Sequence, residues 1–194
     1  MAKSSCEGFI EGTEGAVGDE PTAPSVYLVG TLTHRNPMLR DHLLDGHRYS
    51  LWANRRHAAA LANADPVSDG TLRLFSHVAR AEAIWIGRVT ASGDAQLDVW
   101  HTDPLADALA RSEGATAAWM EHLASCGDDA LLAPVRYQNS RGVPFSTPLA
   151  EISAHVVSHG AYHRGQIAAL LRAAGHASPP TDRIAYARLA PAER

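Results

Sequence analysis

The sequence predicts an all-α fold, a four-helix bundle with one crossed connection, on the basis of three observations. Four long segments of the 194-residue chain carry apolar residues at helical spacing. No strand–helix–strand alternation accompanies them, so a parallel sheet is not expected. One short stretch before the last helix places turn residues between two apolar runs, which predicts a small β-hairpin.

The chain divides by composition into two parts. Its beginning is rich in Gly, Ser, Glu and Pro and poor in large apolar side chains, so it cannot offset its own ordering entropy. We expect residues 1–35 to form an N-terminal tail or arm and residues 36–194 to form the bundle domain.

The first two helices have clear boundaries. Residues 36–64 predict the first helix, since Pro37 suits a first helical turn and Pro66 ends the pattern. Ser68 or Asp69 caps the second helix, which we expect to end near Val89, ahead of a Ser-Gly pair.

The third helix, the hairpin and the fourth helix follow. Asp103 as cap predicts a third helix ending near residue 125, after a short extended piece at residues 97–100. Residues 133–137 and 143–145 predict the hairpin, with prolines that keep it at an edge. Thr147 as cap and Gly175 as stop delimit the last helix.

Composition excludes several function classes. A formal net charge of −4 argues against a nucleic-acid partner, which would require a basic face. No apolar run reaches the roughly 18–20 residues of a membrane span. Two cysteines make no disulfide framework, so we expect a reducing cytoplasm.

Histidines on the last helix are the main functional signal. His155, His159 and His163 are four residues apart, and each step of four turns a helix by only about 40°. The three rings therefore share one face, which also carries apolar residues and should point into the bundle. Inward imidazoles without partners are costly, and a bound cation would compensate.

A third ligand should come from a neighbouring helix, because one helix seldom offers three ligands to a single ion. His77 is the best candidate, since it lies mid-helix in phase with the apolar stripe. The remaining histidines lie in loops or at ends or, like His42, His47 and His57, accompany charged stretches. Imidazoles without carboxylates favour zinc or nickel, with iron and copper as alternatives, over magnesium or calcium.

Two familiar metal chemistries do not fit. His159 is followed by Gly160 rather than Glu, so the His-Glu-x-x-His pattern of zinc proteases is absent from the sequence. No Glu-x-x-His occurs in the chain, which disfavours a ferritin-type di-iron site. Three protein ligands leave positions open on the ion, as in catalytic sites.

The segment His159-Gly-Ala-Tyr-His163-Arg-Gly-Gln166 resembles the His-x-x-x-His-Arg-Gly-Gln signature of the DinB/YfiT-like family. The resemblance extends over residues 40–188 and includes a first-helix aromatic motif, a second-helix motif and the hairpin, at residues 49–54, 76–85 and 137–145. It implies a four-helix bundle, often dimeric, with a metal held by His77, His159 and His163. His155 is not part of that ligand set.

The resemblance also implies a function. The family includes transferases and isomerases that use a low-molecular-weight thiol, so we expect a metal-dependent reaction of such a thiol with a small-molecule substrate. The alternatives are a non-catalytic metal-binding stress-response bundle and a metal-dependent hydrolase. No dedicated acid or base stands out. Arg164 could hold a carboxylate or pair with an acid, and Glu82 could support the ligands or form a surface ion pair.

Overall fold

The computed structural model describes residues 37–190, so the predicted tail at residues 1–35 lies outside the described part. The all-α class and the small hairpin are confirmed. The four long helices are α1 (Pro37–Ala62), α2 (Asp69–Thr90), α3 (Leu105–Ser125) and α5 (Leu149–Ala173). The remaining elements are a 3-10 turn (Gly93–Gln96), α4 (Asp128–Leu132), β1 (Pro134–Gln138), β2 (Pro144–Pro148) and α6 (Arg183–Ala187).

The bundle has the crossed wiring expected from the sequence. Helices α1 and α2 each pack against both α3 and α5. The consecutive helices α1 and α2 therefore lie diagonally across the bundle, as do α3 and α5. This arrangement makes α2 and α5 direct neighbours, and these are the two helices that carry the candidate metal ligands. None of the described helices is long and apolar enough to cross a membrane.

Two predicted helix ends are confirmed by their hydrogen bonds. The Ser68 hydroxyl accepts from the Thr71 backbone N–H at 3.2 Å, which caps α2. Gly175 has φ +81°, and the N–H of the next residue, His176, donates to the Leu171 carbonyl at 2.9 Å. This left-handed glycine ends α5 in a Schellman arrangement, a conformation that costs glycine little.

Three local predictions were wrong. Asp103 does not cap α3, which begins after Pro104, because its carboxylate is taken by the buried guanidinium of Arg80. Thr147 does not cap α5, because it belongs to β2 and its hydroxyl lies 3.2 Å from the Tyr137 hydroxyl. Residues 97–100 form bends and turns rather than an extended piece.

The core consists of two apolar clusters separated by a polar layer. One cluster lies toward the hairpin and contains Trp119, Leu123 and Ile152. The other lies toward the opposite end and contains Phe75 and Ile167. The polar layer between them holds buried side chains from all four long helices and lies beside the candidate site.

Two histidines that lie within charged stretches of the sequence, His47 and His57, are buried in the structure. His47 is 2% exposed, stacks on the Trp119 ring at 4.9 Å and has Nε2 2.9 Å from the Ser153 hydroxyl. His57 is fully buried. Their flanking arginines face outward, so the charge of the neighbours did not indicate the orientation of these two rings.

Burial lowers the pKa of both His47 and His57 to about 4. In the unfolded chain both rings take up a proton near pH 6.5, whereas in the folded protein they stay neutral down to about pH 4. The free energy of unfolding is therefore highest above pH 6.5 and decreases as the pH falls from 6.5 to 4. We expect His47 alone to contribute roughly 3 kcal/mol of this loss. Urea unfolding at pH 6.5, 5.5 and 4.5 checks this, and H47Q should show the shallower decline. Equal slopes in the two proteins would contradict it.

Candidate metal centre

Three imidazole rings from two helices meet at one point. His77 comes from α2, and His159 and His163 come from α5. The His159 Nε2 atom lies 3.2 Å from His77 Nε2 and 3.1 Å from His163 Nε2. A tetrahedral ion with bonds of 2.0–2.1 Å holds its ligand nitrogens about 3.3 Å apart. The three nitrogens are therefore spaced so that one ion could be held by all of them, and this triad is the one such group found among residues 37–190.

Hydrogen bonds at the far side of two rings orient these nitrogens. His77 Nδ1 lies 3.2 Å from the Val99 carbonyl, and His163 Nδ1 lies 2.7 Å from Gln166 Oε1. Since these oxygens accept, each Nδ1 carries the proton and donates. The Nε2 lone pair of both rings is thereby left free to bind a cation, as in many metal sites.

The surroundings keep the rings neutral. Burial lowers the pKa of His77 to about 4 and that of His159 to about 2. A smaller contribution comes from the repulsion that a second protonated histidine of the cluster would exert, and from Arg73 and Arg164. Burial also lowers the pKa of His163. Only a neutral imidazole offers a lone pair to a metal, so the site has the protonation state that ligation requires at neutral pH.

A loop after α2 supports His77, and sequence reasoning missed it. Arg80 holds the loop through two hydrogen bonds to the Asp103 carboxylate and one to the Asp98 carbonyl. Trp100 stacks on the His77 ring, with centroids 4.0 Å apart and planes 15° apart. The loop thus supplies both the stacking partner and the carbonyl that orients His77.

The triad is open on one side. His77 is fully buried and His163 is 6% exposed, whereas His159 is half-buried. His155 is exposed one turn earlier on α5, with its ring 5.6 Å from that of His159, and it is not part of the triad. Tyr162 is also exposed, with its ring 5.1 Å from the His163 ring. A small molecule could therefore approach the triad along the outer face of α5.

A buried polar network lies directly behind the triad, with one residue from each long helix. Asn54 donates to Glu82 Oε1 at 2.9 Å and to the Ser112 hydroxyl at 2.8 Å. Ser112 in turn donates to Glu82 Oε2 at 2.6 Å. Arg164, which follows His163 in the sequence, donates from Nη1 to Asn54 Oδ1 at 2.9 Å.

This network changes two interpretations from the sequence. Glu82 forms no surface ion pair and does not contact the triad rings by hydrogen bonds, because it is 4% exposed and engaged by Asn54 and Ser112. Burial raises its pKa, although the hydrogen bonds and the Arg164 charge oppose that shift. Arg164 is 2% exposed and donates a hydrogen bond to the buried Asn54, so it does not face a ligand at the surface. Ser112 carried no sequence signal as a single small polar residue, and Asn54 was indicated only as the last residue of the first-helix motif at residues 49–54.

Known proteins resemble this chain in sequence and in fold. The model of the DinB family matches residues 67–194. The chain belongs to the DinB family. Protein DinB of Bacillus subtilis (strain 168) is 51% identical over 49 residues, which are 25% of this chain and 28% of that protein.

A DinB-like protein from Bacillus cereus ATCC 10987, solved by crystallography, has the same fold. The superposition has a TM-score of 0.52 and covers 72% of this chain and 95% of that one. Its sequence identity is 16%, so this similarity concerns the fold alone. The match to the Bacillus subtilis DinB spans just over a quarter of that relative, and activity is therefore argued below from the site.

Two glycines of α5 provide a matched test of the network. A Cβ added at Gly160 would lie 2.8 Å from Arg164 Nη1, whereas one added at exposed Gly165 meets no described atom within 4 Å. We expect G160A to lower the free energy of unfolding by about 1–3 kcal/mol, because Arg164 must leave Asn54. G165A should raise it by up to about 1 kcal/mol through helix propensity. Chemical denaturation measures both, and equal effects would contradict the close packing at residue 160.

The support given to His163 is tested by Gln166. Removing its side chain takes away the acceptor for His163 Nδ1–H, so Q166A should weaken zinc binding by about 10–100-fold without removing a ligand. Competition with a chromogenic chelator measures the affinity. The control is Q138A on the exposed edge of β1, which should bind as the unaltered protein does. An unchanged affinity in Q166A would show that this hydrogen bond does not support the site.

Proposed function

We propose that this member of the DinB family holds a divalent transition metal, zinc or nickel before iron or copper, on Nε2 of His77, His159 and His163. We further propose that it uses the metal to activate a low-molecular-weight thiol for transfer to an electrophilic small molecule. The observation that carries the proposal is the convergence of three imidazole Nε2 atoms. Two of them, in His77 and His163, have a free lone pair because the opposite ring nitrogen donates a hydrogen bond.

The donor set fits such an ion. Three neutral nitrogen ligands suit zinc, nickel, copper or iron, and they leave at least one coordination position for an exogenous ligand. A bound metal would lower the pKa of a coordinated thiol and stabilise the reactive thiolate. The half-buried His159 lies at the open side of the triad, so a small molecule could reach an ion held there from solvent.

The chain's own residues perform the remaining tasks. Trp100 and the Val99 carbonyl hold His77, while Gln166 holds His163. The exposed rings of His155 and Tyr162 flank the approach and can contact the apolar part of a thiol or substrate. No described carboxylate is hydrogen-bonded to the triad, so the residues that orient the triad are uncharged.

The open side of the triad favours catalysis over a purely structural or sensing metal. A closed structural site would surround the ion with protein ligands, whereas this one has three. A homodimer and a cytoplasmic location stay predictions from the family resemblance and the composition.

The test combines metal content with turnover. Elemental analysis of untagged protein should find about one transition-metal ion per chain, and H159A should lose it. H42A, an exposed histidine on α1, is the control and should retain the metal. The metal-loaded protein is then screened with several small thiols and monochlorobimane, where the S–C bond forms as chloride leaves.

The expected result is a thiol-dependent fluorescence increase that H159A abolishes and H42A preserves. Undiminished metal in H159A would overturn the proposed site. Stoichiometric metal without turnover for any thiol would overturn the transferase proposal and favour the non-catalytic alternative.

A further inference from the structure

A row of aromatic rings leads from the triad to the hairpin. Starting at His159, successive ring centroids are separated by 5.6 Å to His155, 5.2 Å to Trp85, 5.1 Å to Tyr137 and 5.8 Å to Phe145. We call His155, Trp85, Tyr137 and Phe145 the aromatic row. It crosses from α5 to α2 and then to both strands of the hairpin.

A cation lies on this row. The Arg88 guanidinium carbon is 4.7 Å from the centre of the Trp85 ring and 5.9 Å from that of Tyr137. Its Nε is buried without a hydrogen-bond partner among residues 37–190, and in that range no carboxylate forms an ion pair with it. Burial lowers its pKa, as expected for a cation without a compensating anion.

Arg88 differs from the buried Arg80 and Arg164 in that no carboxylate acts on it. Arg80 forms an ion pair with Asp103. Arg164 also has buried Nε and Nη2 atoms without a hydrogen-bond partner among residues 37–190, but its charge acts on the Glu82 carboxylate, and it donates to Asn54 in the same network. A partly desolvated guanidinium without an acid is costly, and a planar carboxylate is the anion that its fork of N–H donors matches best.

Helix geometry puts Arg88 in line with the triad. Arg88 follows His77 by eleven residues on α2, which is three turns plus about 20°, so both lie on the same face. The rise between their Cα atoms is about 16 Å. Both side chains lean toward the N-terminus of α2, and the longer Arg88 side chain can reach further in that direction, toward the triad. The distance between the triad and Arg88 therefore suits an extended small molecule with one binding group at each end, rather than a molecule of two or three carbons.

We propose that Arg88 is the carboxylate-recognising end of an elongated ligand site whose other end is the triad. The ligand is a carboxylate-bearing thiol or substrate with a chain that lies along the aromatic row. This inference rests on the proposed function for the chemistry at the triad. The carboxylate ligand of Arg88 is inferred separately, from the contacts of the Arg88 guanidinium itself.

The test uses cobalt-loaded protein and pairs of thiols that differ only in charge. Thiolate binding to Co²⁺ gives a near-ultraviolet charge-transfer band, which is titrated with 6-mercaptohexanoate and with 6-mercaptohexanol. We expect the carboxylate to bind about tenfold more tightly, as for a charge-assisted hydrogen bond. The shorter 3-mercaptopropionate should show a smaller advantage over 3-mercaptopropanol, because it cannot reach Arg88.

Variants identify the residue responsible. R88Q should bind both six-carbon thiols equally, and R88K should retain part of the preference because it keeps the charge. R136Q, which alters an exposed arginine of the nearby strand β1, should keep the full preference. Circular dichroism checks that each variant is folded. Equal affinities in the unaltered protein, or a preference that survives in R88Q, would overturn the assignment.

Failure of the proposed function is distinguishable from failure of this inference. If neither thiol produces the band on cobalt-loaded protein, thiol activation is refuted. Carboxylate binding by Arg88 is then tested on the protein without metal. Thermal unfolding with added hexanoate or hexanol should show extra stabilisation by hexanoate in the unaltered protein and in R136Q. Absence of that difference, or its persistence in R88Q, would overturn the carboxylate site.

Discussion

The structure depends on the buried polar network that joins the four long helices at mid-height. Glu82 lies at its centre and receives hydrogen bonds from Asn54 and Ser112, while Arg164 reaches the same Asn54. Polar groups this deeply buried are costly unless every helix keeps its register, so the network tolerates few alternative packings. Because Arg164 follows His163 directly, the same constraint sets the position of the candidate ligands on α5.

The candidate site is built outward from that constraint. The interior network sets α5, the Arg80–Asp103 pair sets the loop, and the loop supplies Val99 and Trp100 to His77. The His77 ring is thus held by a segment more than twenty residues away in the chain, and the His163 ring by Gln166 on its own helix. Such support reduces the movement needed when an ion binds, which is a condition for tight and specific coordination.

Local patterns predicted much of this, and long-range partners explain what they missed. Spacing of four residues sufficed to place His159 and His163 on one face, and helical phase sufficed to turn His77 inward. The sequence predicted Asp103 as a cap because an aspartate just before a helix often has that role. Its carboxylate instead binds Arg80, which lies 23 residues earlier and which no local pattern indicates. The burial of His47 likewise follows from stacking on Trp119, 72 positions later in the chain, which no local pattern encodes.

The central claim is that the Nε2 atoms of three histidines bind one metal ion, and X-ray absorption at the metal edge tests it most directly. Zinc-loaded protein should show a first shell of three imidazole nitrogens at about 2.0–2.1 Å, with one further light ligand. Adding a small thiol should then introduce a sulfur at about 2.3 Å. A first shell with fewer than three imidazoles, or one dominated by carboxylate or protein sulfur, would contradict the account.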